Sequence, residues 1–201
     1  MRFVWLVLLG LFCAGCPPKL VDYPYDKEPD PRQREVELGV GDVVSINVWG
    51  PENRDFNTEA TIRADGTITM PLLGDLKAAG ATPSALKKEI TTKVQAFVKF
   101  QPGQDLVTVT LKNWRSYRFT IQGEVTRQGV FSSDHFVTIA DAIAQAGGPT
   151  RFAKRREVIL FRLDPETRQT KKIPFDYDLL SSGKRLDMNI YVLAGDVIYI
   201  P

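Results

Sequence analysis

The alternation of apolar and polar positions divides the chain into short strands and two helices. In residues 38–49, Val44, Ile46 and Val48 alternate with Val43, Ser45 and Asn47, which predicts a strand entered through a Gly41-Asp42 turn and broken at Gly50-Pro51. Residues 61–63 and 67–69 are two alternating runs around Asp65-Gly66. A D-G pair between such runs predicts a hairpin, because Gly takes positive φ without steric cost. Gly74-Asp75 predicts a second turn, and Thr82-Pro83 predicts a helix start, with Thr as N-cap and Pro at the first helical position. Leu86, Ile90, Val94 and Phe97 give that helix one apolar face. Residues 61–90 therefore form a compact ββα module, followed by a β-branched strand at 106–111.

The pattern breaks at residues 113–116, the expected boundary between a first lobe over 36–113 and a second over 114–201. In the second lobe Phe119 and Ile121 share a strand face, and Arg127-Gln128-Gly129 predicts a turn into Val130-Phe131. Thr138 caps a helix over 139–146, with Asp141 complementing its dipole and Gly147-Gly148-Pro149 stopping it. Residues 158–163 and 171–175 predict paired strands around an Asp164–Thr167 turn, and the last run ends at Ile200. Residues 41–46 and 195–200 share the form G-D-V-[VI]-x-I. This echo suggests that the strand at 38–49 pairs with the second lobe, leaving the ββα module inserted between the two strands.

The N-terminus follows other rules. Arg2 precedes a ten-residue apolar run at 3–12, too short for a spanning helix of about 20 residues, and small Ala14-Gly15 follow. Residues 1–15 predict a secretory signal peptide. Cys16 would then be the one cysteine of the mature chain, with no disulfide partner, which favours its lipidation. Pro17, Pro18, Pro24, Pro29 and Pro31 make residues 16–35 a lipidated tether without apolar patterning. Over the whole chain Lys+Arg 26 balance Asp+Glu 24, which argues against nucleic acid as a partner.

Candidate chemistry is sparse. The single histidine, His135, cannot build a zinc set and has no nucleophile elbow near it. Asp42, Asp65, Asp75, Asp164 and Asp196 all sit beside Gly or Pro, where turn chemistry accounts for them. Trp49 and Trp114 could stack on sugars, but both sit where an apolar strand gives way to a turn and read first as core or rim packing. Arg151, Lys154, Arg155 and Arg156 form a basic cluster, a candidate contact for acidic polysaccharide or a partner subunit that also reads as a solvated edge. No catalytic residue, metal site or cofactor is expected.

Three ordered motifs resemble one family, the outer-membrane polysaccharide export lipoproteins of Gram-negative bacteria. The sequence around Cys13-Ala14-Gly15-Cys16 is similar to their lipidation signal. ADGTITMPLLGDLKAAGATPSALKKEI followed by LVTVTL resembles their export domain. FTIQGEVTRQGVF, TIADAIAQAGGPT and LAGDVIYIP resemble their SLBB domain. The resemblance implies an α+β chain in which a small ββα-type export domain is joined to a β-grasp-like domain. It implies no enzyme but a homo-oligomeric ring on the periplasmic side of the outer membrane, anchored at Cys16. The implied partners are an inner-membrane co-polymerase or tyrosine kinase, the capsule or exopolysaccharide itself and, because no pore helix is found before Pro201, a separate outer-membrane barrel protein. The alternative reading is a lipid-anchored saccharide-binding or regulatory module that forms no conduit.

Overall fold

The computed structural model describes residues 23–49, 56–97, 105–165 and 167–201, so Cys16 and the signal segment lie outside the described residues. The chain is α+β and builds two separate apolar cores. The first domain holds a sheet of β1 (Val43–Val48), β2 (Thr58–Thr61) and β5 (Val107–Asn113) in the order β2-β1-β5. Beside it stand the hairpin of β3 (Thr67–Met70) and β4 (Gly74–Lys77) and the helix α1 (Pro83–Val94). Alternation works as expected in β1, where Val44, Ile46 and Val48 are buried with Ile62, just past β2, and with Ile68 and Leu76 from β3 and β4. Thr82 caps α1 by accepting from the Ala85 N–H, and Leu86, Ile90 and Val94 face the core. Phe97, expected on that face, lies beyond the helix end and is exposed, its ring 6.1 Å from that of Phe56.

The second domain is a five-stranded sheet in the order β7-β6-β10-β8-β9. Its strands are β6 (Arg118–Gly123), β7 (Gly129–Ser132), β8 (Val158–Leu163), β9 (Thr170–Phe175) and β10 (Val197–Ile200), with helices α2 (Ile139–Gln145) and α3 (Tyr177–Ser181). Hairpins β6–β7 and β8–β9 flank β10, which runs parallel to β6 and antiparallel to β8. That order, with the first and last strands parallel at the centre and a helix between the hairpins, is the β-grasp arrangement. Thr138 and Asp141 form a reciprocal capping box at the start of α2. Gly123 allows the central strands to meet, since a Cβ there would lie 2.0 Å from the Ile200 carbonyl oxygen.

Two expectations are corrected. Asp65-Gly66 does turn the chain, with Gly66 at φ 78, but the runs on either side share only the bond from the Arg63 N–H to the Thr67 carbonyl at 2.9 Å and form no ladder. The Gly41 N–H donates to the Ile62 carbonyl and the Ile62 N–H to the Asp42 carbonyl, so that side belongs to the β1 sheet. The hairpin lies one step later, and Gly74 opens β4 rather than a turn. The echo at 41–46 and 195–200 also misleads: β1 pairs with β2 and β5 and takes no place in the second sheet. What the echo encodes is local. Gly39 and Leu193 each donate N–H to the side chain of the aspartate three residues on, and each carbonyl accepts that aspartate's N–H. Such a turn fixes the approach to a strand but not which sheet receives it.

The true hairpin turn, residues 71–73, carries Leu72 at φ 62, a left-handed conformation that costs an L-residue roughly 1–2 kcal/mol. Its side chain is exposed and recovers little by burial. Leu72→Gly is expected to stabilise the protein by about 0.5–1 kcal/mol after the added chain entropy of Gly is counted. The melting temperature should rise by about 1–4 °C. A fall would show that the Leu72 side chain contributes more than its strain costs.

Candidate functional site

The two domains meet through a short linker, residues 114–117, and a strap formed by residues 23–37. The linker is held by Asp42, which is fully buried. Its carboxylate accepts from the backbone N–H groups of Gly39 (2.8 Å), Arg115 (2.8 Å) and Ser116 (2.7 Å) and from the Ser116 hydroxyl (2.8 Å). Gly39 is required for that closeness, because a Cβ there would stand 2.3 Å from the Ser116 Cβ. Just beyond, the Trp114 ring stacks on Tyr117 at 4.6 Å and meets the edge of Phe136. The Tyr117 hydroxyl donates to the Val192 carbonyl inside the second core.

The strap departs from the expected tether. Prolines and charges do keep it free of helix and strand, and it forms 3₁₀ turns at Tyr25–Lys27 and Pro31–Gln33. It is nevertheless seated on the second domain. Tyr25 is buried in that domain's core and donates to the Pro174 carbonyl at 2.5 Å. Burial pushes its phenol up to about 12. Glu28, with its side chain only 3% exposed, accepts from Arg162 at 2.7 Å and also from Lys171 and Tyr23. Arg162 reaches on to Asp196 at 2.7 Å and to the Tyr191 carbonyl at 2.7 Å. Burial raises the Glu28 carboxyl, but the hydrogen bonds from Lys171 and Tyr23 and the Arg162 charge outweigh it, leaving the group below its ordinary value. For Asp196 burial dominates and the carboxyl is held above its ordinary value. Farther along, Glu35 accepts from the Ser84 N–H at the start of α1, and the Leu38 N–H bonds to the Ala81 carbonyl. Between strap and second domain lies a cleft of about 570 Å³, walled by Pro31 and Val36 on one side and Trp114, Phe136 and Leu193 on the other.

The basic cluster gathers on the loop between α2 and β8, and part of it is committed to local pairing. Arg155 and Arg156 share Asp178 at 3.0 and 3.4 Å, and Lys154 stands 3.8 Å from Glu157. Arg155 also lies over Tyr177, while Arg151 lies over the ring of exposed Phe152 at 4.6 Å. Trp49 is largely exposed at the end of β1 and donates from its indole to Thr108, so it is not core packing. His135 sits in an exposed loop, paired with Asp134 at 2.7 Å. Among the described residues no group of three His, Cys, Asp or Glu side chains could hold a metal ion, and no helix is long and apolar enough to cross a membrane.

On the outer face of the β3–β4 hairpin, Arg63 binds Asp75 at 2.8 Å, Asp65 at 3.1 Å and the hydroxyls of Thr67 and Thr69. The Thr67 hydroxyl and backbone N–H, followed by Arg63, lower the Asp65 carboxyl to about 2. A depressed carboxyl stabilises the fold above its unfolded value, near 3.8, and loses that contribution as pH falls towards about 2. Thr67→Val is expected to move the Asp65 midpoint part of the way up towards 3.8, read by NMR titration of the carboxyl carbon; an unmoved midpoint would assign the shift to the residue-67 backbone N–H and Arg63.

Sequence reasoning missed Tyr25, Glu28 and Arg162. The signal for Arg162 was present, since it has the inward parity of Val158 and Leu160 in β8. A charge at an inward position calls for a buried partner.

Comparison with known proteins follows the same division. Residues 30–112 match the family model for polysaccharide biosynthesis/export protein, and residues 118–176 match the SLBB domain model. The chain is 26% identical to the capsule polysaccharide export protein BexD of Haemophilus influenzae, over 80% of this chain and 42% of that protein. It is 29% identical to the EPS I polysaccharide export outer membrane protein EpsA of Ralstonia solanacearum, over 55% of this chain and 34% of that protein. It is 27% identical to the exopolysaccharide production protein ExoF of Rhizobium meliloti, over 60% of this chain and 30% of that protein. The chain thus spans less than half the length of these relatives.

Proposed function

This chain belongs to the polysaccharide biosynthesis/export family, and we propose from that membership that it is a component of a capsule or exopolysaccharide export conduit at the periplasmic face of the outer membrane. It acts as an oligomeric ring of identical copies, without bond chemistry, and is anchored through acylated Cys16. Its partners are the polymer and an inner-membrane co-polymerase of the tyrosine-kinase type. The observation that carries this reading is the ordered match of an export domain and an SLBB domain, joined here through the buried Asp42. A conduit also needs fixed domain geometry, and the strap and linker supply two points of attachment.

The strap bears on the anchor. Six residues separate Cys16 from Tyr23, a reach of at most roughly 25 Å. An acylated Cys16 would therefore hold the second domain, on which Tyr25 and Glu28 are seated, close to the membrane. Native mass measurement of the acylated protein in detergent tests the ring. A single closed oligomer is expected; a strict monomer that binds saccharide tightly would sink the conduit in favour of a binding module. Cys16→Ser is expected to let a high-salt wash release the protein from the membrane fraction, where the parent stays bound.

A further inference from the structure

We propose that the loop at the far end of the second domain, residues 149–157, docks on an anionic lipid surface, with Phe152 entering the headgroup layer and Arg151, Lys154 and Arg156 meeting lipid phosphates. The topology places the loop. Strand β6 starts at the linker and runs away from the first domain to Gly123, and β10 runs parallel to it and ends at the same side. Antiparallel β8 starts there, so the loop that feeds it points away from the first domain. The loop is built to present its tip. The Phe152 N–H donates to the Thr150 hydroxyl, the Glu157 N–H to the Lys154 carbonyl and the Lys154 N–H to the Pro201 carbonyl. Phe152 is 70% exposed on this tied loop, with the Arg151 guanidinium 4.6 Å from its ring centre.

The charge is complementary to lipid phosphate. At this end Arg127, Arg151, Lys154, Arg155 and Arg156 outnumber the surface carboxylates of Glu124, Glu157 and Asp178 by two. An aromatic ring beside cations suits the boundary between headgroups and acyl chains, where the ring leaves water and the cations stay at the phosphates. A polysaccharide would gain less, because Arg151 covers one face of the Phe152 ring on which a sugar would stack. The inference leans on the export reading only for the presence of a membrane, and its test does not use the anchor.

The test is co-sedimentation of the mature chain carrying Cys16→Ser with vesicles of phosphatidylcholine, with and without phosphatidylglycerol. Binding is expected only to the phosphatidylglycerol vesicles and should weaken as salt rises. Lys154→Gln and Arg156→Gln should each lower affinity about fivefold. Phe152→Ser should lower it about tenfold. These side chains are exposed, so an unchanged melting temperature is the folding control. Equal binding to both vesicles, no binding, or variants that bind like the parent would overturn the proposal. So would soluble alginate binding that depends on the same residues while the vesicles are ignored. In either case the ring and its anchor would still be judged by native mass and fractionation.

Discussion

Arg162→Met is expected to destabilise the second domain by about 3–5 kcal/mol, the usual cost of removing one partner from a buried ion pair. Arg162 joins Glu28 of the strap to Asp196 at the entry to β10, and the three side chains are only 8%, 3% and 2% exposed. Methionine fills much of the same volume, so the loss comes from charge and not from a cavity. It leaves two buried carboxylates, one of them still facing Lys171. Thermal melting should show a fall of several degrees, and hydrogen exchange should show the strap amides opening before the sheet. Adding Glu28→Gln should recover part of the loss, because one orphan charge is gone. If Arg162→Met melts like the parent, Lys171 and the backbone already neutralise the site.

The stability difference between parent and variant should depend on pH. In the parent, the Glu28 carboxyl is held below its ordinary value. Its contribution is present above the unfolded value, near 4.5, and is lost as pH falls through the lower folded value. In Arg162→Met, Asp196, already held above its ordinary value by burial, loses the Arg162 hydrogen bond and charge that restrained it and rises further, while Glu28 keeps Lys171 and Tyr23. That variant should regain stability relative to the parent as pH is lowered. A constant difference between the two proteins from neutral pH down to acid would count against this account.

Asp42→Ala is expected to cost about 3 kcal/mol or more and to loosen the joint between the domains. Three backbone N–H groups and one hydroxyl lose the same acceptor. A buried donor left without a partner costs about 1–3 kcal/mol, and some of these four would recover water once the turn opens. Asp42→Asn keeps the size but offers one acceptor oxygen in place of two, so an intermediate loss is expected. Exchange at the Arg115 and Ser116 amides is the direct measurement. Scattering would then report a wider spread of angles between the domains. Rapid melting with those amides still protected would move the role of Asp42 from the joint to the first core.

What could be read from the chain follows from how local each signal is. The helices were legible because a cap, an apolar face and a stop lie within a few turns, as in Thr82 to Val94 and Thr138 to Gly148. The strands of the second domain were legible because alternation and turn residues agree, as in β8 and β9 around Asp164. Sheet membership was not. The Gly-Asp turn before β1 and the one before β10 use the same hydrogen bonds, yet distant residues decide which neighbours each strand meets. The strap was misread for a related reason. Proline and charge forbid regular structure, but they do not stop one tyrosine and one glutamate from occupying sites prepared elsewhere. The basic cluster was seen in full, while its partial neutralisation by Asp178 depends on helix α3, more than 20 residues away.

The strap and the Asp42-bound linker give the first domain an axle instead of a pivot. A body joined to its neighbour by one thread can swing in any direction. Joined at two places, it keeps one easy rotation, about the line between them. Glu28 and Ser116 mark the two bearings, on opposite sides of the sequence that builds the first domain. A force on that domain is turned by its two attachments into motion along one arc. Cutting the strap by an engineered protease site near Arg34 should leave both cores folded and turn that single arc into free swinging.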